Sequence, residues 1–400
     1  MTSPLPVTTV PRGGVPPLTA SLAEYRQVTD RLATASGSIA CDVERAQGFV
    51  YTARAYLIQL ARVGAGIVLV DPIGEGADQG MDALAAAIND NEFILHAADQ
   101  DLANLREVGI EPGSLFDTEV AALLVGRPHV GLAALTEELL GVRLAKEHQT
   151  SNWSQRPLPE DWRAYAALDV DYLFELKSAL AVLLEKAGRT EWAAQEFDHI
   201  LHAPAKQPKA DPWRIKGAGR LATRRQLAAL KELWTARDAL GREFDIEPAK
   251  FLSTRALVPL AQALPRSVKQ AMKDIPELRY RRARQHADVW QAALDRARAL
   301  DDVDLPVLRR PLLPGELPPV KDWRHLNPPA RRRLAAIKKV VTTHADELGI
   351  RPDLVVPPAV QRQLAWNGWP SDVEAAMADL GARPWQIALT GADLAALSQD

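Results

Sequence analysis

Ile39-Ala40-Cys41-Asp42-Val43-Glu44 is the stretch on which the fold turns. Apolar and polar residues alternate along it as on a half-buried strand, and residues two apart on a strand leave the same face. Asp42 and Glu44 therefore project together, while Cys41 points the other way as a small core residue. Two more acidic segments lie downstream. His96-Ala-Ala-Asp-Gln-Asp101 follows the apolar run Phe93-Ile94-Leu95 and opens an amphipathic stretch with Leu102 and Leu105. A strand end passing into a helix start is a frequent place for functional groups. Tyr165-Ala-Ala-Leu-Asp169 lies in a segment, 159–186, where Trp162, Ala166, Leu173, Leu176 and Leu180 recur at helical spacing. Four apart on a helix, Tyr165 and Asp169 stand one above the other on one face.

Four carboxylates gathered in one place repel one another, by about 4 kcal/mol for a pair 4 Å apart at an effective dielectric near 20. Such a cluster makes sense mainly as a cation site. Two divalent ions about 3.5–4 Å apart activate water and stabilise the leaving oxygen of a phosphodiester. Mg²⁺ and Mn²⁺ favour oxygen ligands, and a phenol can orient the attacking water without ionising. Each fragment also has an ordinary reading. Asp42 and Glu44 fit a solvated strand face, and Tyr165 fits a packed side chain beside a surface Asp169. Asp99 and Asp101 fit acids complementing a helix N-terminus. His96 reads as a hydrogen-bonded strand-end histidine, because the neighbouring acids favour a hard cation.

Order and surroundings decide between these readings. Asp42-Val-Glu44 is followed by Arg54-Ala-Tyr-Leu-Ile-Gln-Leu60 and Ile67-Val-Leu-Val-Asp71, then by Leu95-His-Ala-Ala-Asp-Gln-Asp-Leu102. Phe116-Asp-Thr118, Gly131-Leu132 and Leu139-Leu-Gly-Val142 come next, and Trp153-Ser-Gln-Arg-Pro-Leu158 leads into Tyr165 to Leu173. In this order the stretches resemble the 3′–5′ exonuclease domain of the tyrosine-bearing branch of the DEDD superfamily, and most of all the ribonuclease D family. The resemblance implies an α/β RNase H-like exonuclease core, a mixed sheet flanked by helices. It implies that Asp42, Glu44, Asp101 and Asp169 bind two divalent cations, Mg²⁺ or Mn²⁺, with Asp42 bridging both and Asp101 acting partly through water. Tyr165 would orient the nucleophilic water. Val43 stands where the family often has Thr, but its side chain leaves the opposite face from the ligands. The implied activity is stepwise release of nucleoside monophosphates from RNA 3′ ends, as in trimming tRNA precursors and other structured RNA. An exodeoxyribonuclease of the same fold and a non-catalytic RNA-binding scaffold are the alternatives. The complete set of acids with Tyr165 argues against the scaffold.

Gln226-Leu-Ala-Ala-Leu-Lys-Glu-Leu-Trp234 and Pro248-Ala-Lys-Phe-Leu-Ser253 resemble the HRDC domain, a small helical nucleic-acid-binding module. Leu227, Leu230 and Trp234 are expected in its core, and Ser253 as a helix N-cap. The pattern returns later. Leu227, Leu230 and Trp234 correspond to Leu334, Ile337 and Val341, while Ile246, Pro248, Phe251 and Leu260 correspond to Ile350, Pro352, Val355 and Leu364. Two all-α HRDC-like domains are therefore expected after the exonuclease core. The expected division is a disordered tail over 1–20, exonuclease domain 21–202, linker 203–212, HRDC domain 213–300, Pro-rich linker 301–320 and a second, diverged HRDC-like domain 321–400.

The formal net charge of −3 conceals an asymmetry. Residues 1–200 hold 15 Lys and Arg against 28 Asp and Glu, a net −13, whereas residues 211–300 hold 19 against 10, a net +9. An acidic half grips a polyanion only through cations, and a basic half supplies salt-sensitive phosphate contacts. Arg279-Tyr-Arg-Arg-Ala-Arg284 also fits a solvated helix face with snorkelling side chains, but for the basic region as a whole RNA is the expected partner. Cys41 is the single cysteine, which excludes an intramolecular disulfide and fits a reducing, cytoplasmic setting. No apolar run is long enough to span a bilayer. A monomer is the default expectation.

Overall fold

A computed structural model describes residues 5–145, 148, 150–204, 212–308, 312 and 315–398. Its strands are β1 (Val7–Thr8), β2 (Leu18–Thr19), β3 (Ile39–Arg45), β4 (Ala55–Arg62), β5 (Gly66–Val70), β6 (Glu92–Leu95), β7 (Ser114–Asp117) and β8 (Arg143–Leu144). Six of them form a mixed sheet in the order β2-β5-β4-β3-β6-β7. β3, β4 and β5 are antiparallel neighbours, while β6 runs parallel to β3 and β7 parallel to β6. Parallel neighbours need a crossover, and these come through α2 (Ala77–Ile88) and α3 (Leu102–Glu107), after α1 (Leu22–Thr34). β4 is buried along its whole length because helices cover both faces of the sheet. The register sets Asp42 opposite Gln59 and Glu44 opposite Leu57.

Helices α4 (Thr118–Leu124), α5 (Leu132–Leu140), α6 (Glu160–Asp171), α7 (Leu173–Lys186) and α8 (Thr190–His202) complete this part. The single periodic segment 159–186 is thus two helices, broken at Tyr172. The break lets α6 present Tyr165 and Asp169 to β3 while α7 buries Leu173, Leu176, Leu180 and Leu184 in the main core.

The disordered tail expected for 1–20 is corrected over its described part. β2 pairs parallel to β5, β1 pairs with β8, and Arg12 forms ion pairs with Asp171 and Glu175. Its Pro-rich composition discourages helix, but an extended segment can still bond along a sheet edge. Residues 1–4 lie outside the described residues.

Residues 218–305 pack around a core of their own that includes Leu227, Leu230, Leu233, Leu257 and Trp290. Leu233 takes the inner place, and Trp234, expected in the core, is half-buried at its margin. Ser253 caps the helix Thr254–Ala263 through the Ala256 N–H. The sequence repeat has a structural counterpart. The helices Arg224–Phe244 and Pro328–Leu348 each have 21 residues, and Thr254–Ala263 and Pro358–Asn367 each have 10.

The two helical units meet the exonuclease core differently. The C-terminal helices share one continuous apolar core with it, and Trp385 stacks on Trp192 with centroids 4.5 Å apart. Buried Glu196 on α8 accepts from Arg383 Nε and Trp385 Nε1, both at 2.8 Å, so the buried charge is satisfied by charge-assisted bonds. The 218–305 unit instead touches the β3–β4 loop through polar groups. Tyr51 Oη lies 3.2 Å from Asp238, the Thr52 N–H donates to Asp245, and Lys250 sits over the Phe49 ring. Among the described residues no helix is long and apolar enough to cross a membrane.

Candidate active site

Strand β3 delivers Asp42 and Glu44 to the face covered by α6, as the two-residue period requires. Cys41 and Val43 leave the other face and are buried in the main core. From above, α6 brings Asp169. One carboxylate oxygen from each of Asp42, Glu44 and Asp169 falls within a set whose members lie within 4.8 Å of one another. Asp101 arrives from the turn after β6, where Ala97 adopts a left-handed conformation (φ 59°) and a short 3-10 turn, Ala98–Gln100, leads into α3. Asp101 stands outside the close trio but lines the same cavity of about 500 Å³, as do His96 and Tyr165. All five residues singled out by sequence thus converge on one cavity.

Tyr165 is held on several sides. Its hydroxyl hydrogen-bonds Asp169, and its ring packs against Trp153 and His148 at centroid distances of 6.4 and 5.9 Å. The phenol is fixed in orientation and mostly buried.

The electrostatics are those of a cation site. Burial pushes the Asp42 carboxyl up to about 6, against the downward pull of Arg45 and the Val43 N–H. Burial likewise drives Glu44 well above the ordinary range, aided by Asp42, Asp169 and Asp101. Asp101 and Asp169 are raised by burial and then by Asp42, with the Tyr165 bond opposing the rise at Asp169. Among the described residues the one arginine or lysine lining the cavity is Arg45, whose guanidinium lies 3.3 Å from Asp101 and also bonds the Gln100 carbonyl. One arginine cannot neutralise four acids. An all-oxygen donor set carrying this unbalanced charge suits hard divalent cations.

Three contributors were not assigned to the site from the sequence. Arg45 should leave the face opposite Glu44 by simple alternation, but the β3–β4 register shifts between these two residues. Such an irregularity re-aims a side chain. Asp117, at the end of β7, accepts from the N–H groups of Ala97, Ala98, Glu119 and Val120 and so fixes the turn that carries Asp101. Its place in Phe116-Asp-Thr118, just before a helix, was the available signal. Gly131, Leu132, Ala133 and Ala134 supply a wall of mostly small residues.

Comparison with known proteins identifies the parts of the chain. Residues 20–185 match a 3′–5′ exonuclease family, 226–294 the HRDC domain, and 316–397 a 3′ to 5′ exonuclease C-terminal domain. The ribonuclease D of Pseudomonas paraeruginosa is 30% identical over 281 residues, covering 69% of this chain and 70% of that protein. A protein from Bifidobacterium adolescentis superposes with a TM-score of 0.89 at 33% identity, covering 99% of this chain and 100% of that one. Escherichia coli RNase D, an exoribonuclease involved in structured RNA processing, superposes at 0.68 with 27% identity, covering 96% and 98%. Exonuclease domain, HRDC domain and relatives covered over most of their length all agree: this chain belongs to the ribonuclease D family of 3′–5′ exoribonucleases.

Proposed function

We propose that Asp42, Glu44, Asp169 and Asp101 hold two divalent cations, Mg²⁺ or Mn²⁺, and that the enzyme releases nucleoside monophosphates one at a time from RNA 3′ ends. The observation carrying this reading is the approach of Asp42, Glu44 and Asp169 oxygens to within 4.8 Å of one another in a cavity of about 500 Å³. When bound, such cations supply activation of water and stabilisation of the departing oxygen. The protein's own contribution is arrangement. Asp42 acts electrostatically on each of the other three acids and would be the ligand shared by both cations. Tyr165, pinned by Asp169 and its aromatic neighbours, holds the attacking water in line with the terminal phosphodiester. The wall of Gly131 to Ala134 bounds the space for the terminal nucleoside, which is released still carrying its phosphate. Arg45 keeps Asp101 in place and offers its guanidinium to a substrate phosphate.

The basic region 211–300 would hold the body of the RNA while its end enters the acidic cavity, with structured RNA such as tRNA precursors as the substrate class. Arg281, Arg282 and Arg284 are exposed beside Tyr280, which is 66% exposed. Nearby phosphate contacts of this kind make affinity fall with salt. We place the enzyme in the cytoplasm as a monomer. The test is digestion of a 3′-extended tRNA precursor with Mg²⁺ or Mn²⁺. Wild type should shorten the extension and release mononucleotides, while Asp42→Asn should bind the RNA and release none. An active Asn variant would refute the ligand assignment.

A further inference from the structure

His96 lines the catalytic cavity but is outside the set of carboxylates, and its hydrogen bonds define what it can do there. It sits at the end of β6, one residue before the left-handed turn that carries the chain to Asp101. Its Nδ1 lies 2.9 Å from the hydroxyl of Thr118, and that hydroxyl lies 3.1 Å from the carbonyl of Leu95. A hydroxyl has one proton, and a carbonyl can only accept. The Thr118 proton therefore goes to Leu95, and the Thr118 oxygen must accept from Nδ1–H of His96. In a neutral imidazole the other nitrogen is then a bare acceptor. The ring is neutral at physiological pH, because burial pulls its pKa down to about 4. Among the described residues no donor reaches Nε2, which is left to the cavity that His96 lines.

A cavity made for an RNA end thus contains a fixed, uncharged acceptor in addition to its acids. Phosphate oxygens cannot donate to it, and base amino groups differ from one nucleotide to the next. The O–H donors common to every RNA 3′ end are the hydroxyls of the terminal ribose. A site built to accept from a hydroxyl discriminates against the analogue lacking it, because the acceptor is then left unpaired.

We infer that His96 is a specificity-determining residue, accepting through Nε2 a hydrogen bond from a hydroxyl of the terminal ribose while Thr118 locks its tautomer. This rests on the exonuclease reading of the cavity. The test measures single-turnover release of the last nucleotide from three oligoribonucleotides of one sequence, ending in ribose, 2′-deoxyribose or 3′-deoxyribose. Wild type should lose about tenfold on the end lacking the recognised hydroxyl, which also identifies that hydroxyl. His96→Phe keeps a flat ring without an acceptor. It should lose about tenfold on the ribose end and nothing further on the discriminating end. His96→Gln, which restores an acceptor oxygen, should recover part of the difference. Equal loss on all three ends in His96→Phe would assign the residue a structural role and overturn the inference. Wild type treating the three ends alike would overturn it without any variant. Failure of wild type to release nucleotide from any end, with either cation, would instead defeat the underlying exonuclease reading.

Discussion

The carboxylate cluster should make the metal-free protein less stable than it could be, and Asp42→Asn measures by how much. Asp42 has its carboxyl raised from 3.8 to about 6, mainly by burial. A carboxyl more easily protonated in the folded state binds more protons there than in the unfolded chain. Its contribution is therefore fully present below pH 3.8 and is lost as pH rises through about 6. The loss is about 3 kcal/mol, at 1.36 kcal/mol for each tenfold. For a unit of 150–250 residues that corresponds to about 6–12 °C in melting temperature. At pH 7.5 in chelator, Asp42→Asn should melt higher than wild type by this order, because the amide carries no charge to desolvate. Saturating Mg²⁺ should stabilise wild type and do much less for the variant. Melting followed at pH 5 and pH 7.5, with and without Mg²⁺, measures all of this. A variant less stable than wild type in chelator at pH 7.5 would refute the reasoning, as would a wild type indifferent to Mg²⁺.

Tyr165→Phe retains the packing against Trp153 and His148 but loses the hydroxyl, so nucleotide release should fall about 100-fold. A titration of activity against Mg²⁺ should show little change in apparent cation affinity. Asp117→Ala strands the N–H groups of Ala97, Ala98, Glu119 and Val120, costing roughly 3 kcal/mol or more in denaturant melts. It should also weaken apparent Mg²⁺ affinity, because the Asp101 turn loses its anchor. Gln59 is fully buried and neither amide atom finds a partner among the described residues, so Gln59→Leu should raise the melting temperature, removing a penalty of about 1–3 kcal/mol. Reversing Arg282 and Arg284 to Glu should weaken RNA binding and flatten its salt dependence, as titrations at several salt concentrations would show.

Local chemistry made much of this protein readable from its residues alone. A two-residue period sends Asp42 and Glu44 to one face, and a four-residue spacing aligns Tyr165 with Asp169. Both are properties of the backbone and hold wherever such elements form. The helical repeat was visible for the same reason, since apolar spacing along Arg224–Phe244 and Pro328–Leu348 reflects a buried stripe. Other features exist only between distant segments. The order of Pro and Thr over the first twenty residues says nothing of the β5 edge that pairs with Leu18–Thr19. Arg45 enters the cavity through a register shift against β4, and register belongs to the pair of strands. Tyr172 ends one helix and begins another because α6 covers β3 while α7 fills the main core. The tautomer of His96 depends on Thr118, 22 residues away. Spacing along the chain declares which groups travel together; the packed fold alone decides what they meet, because those partners share no local sequence.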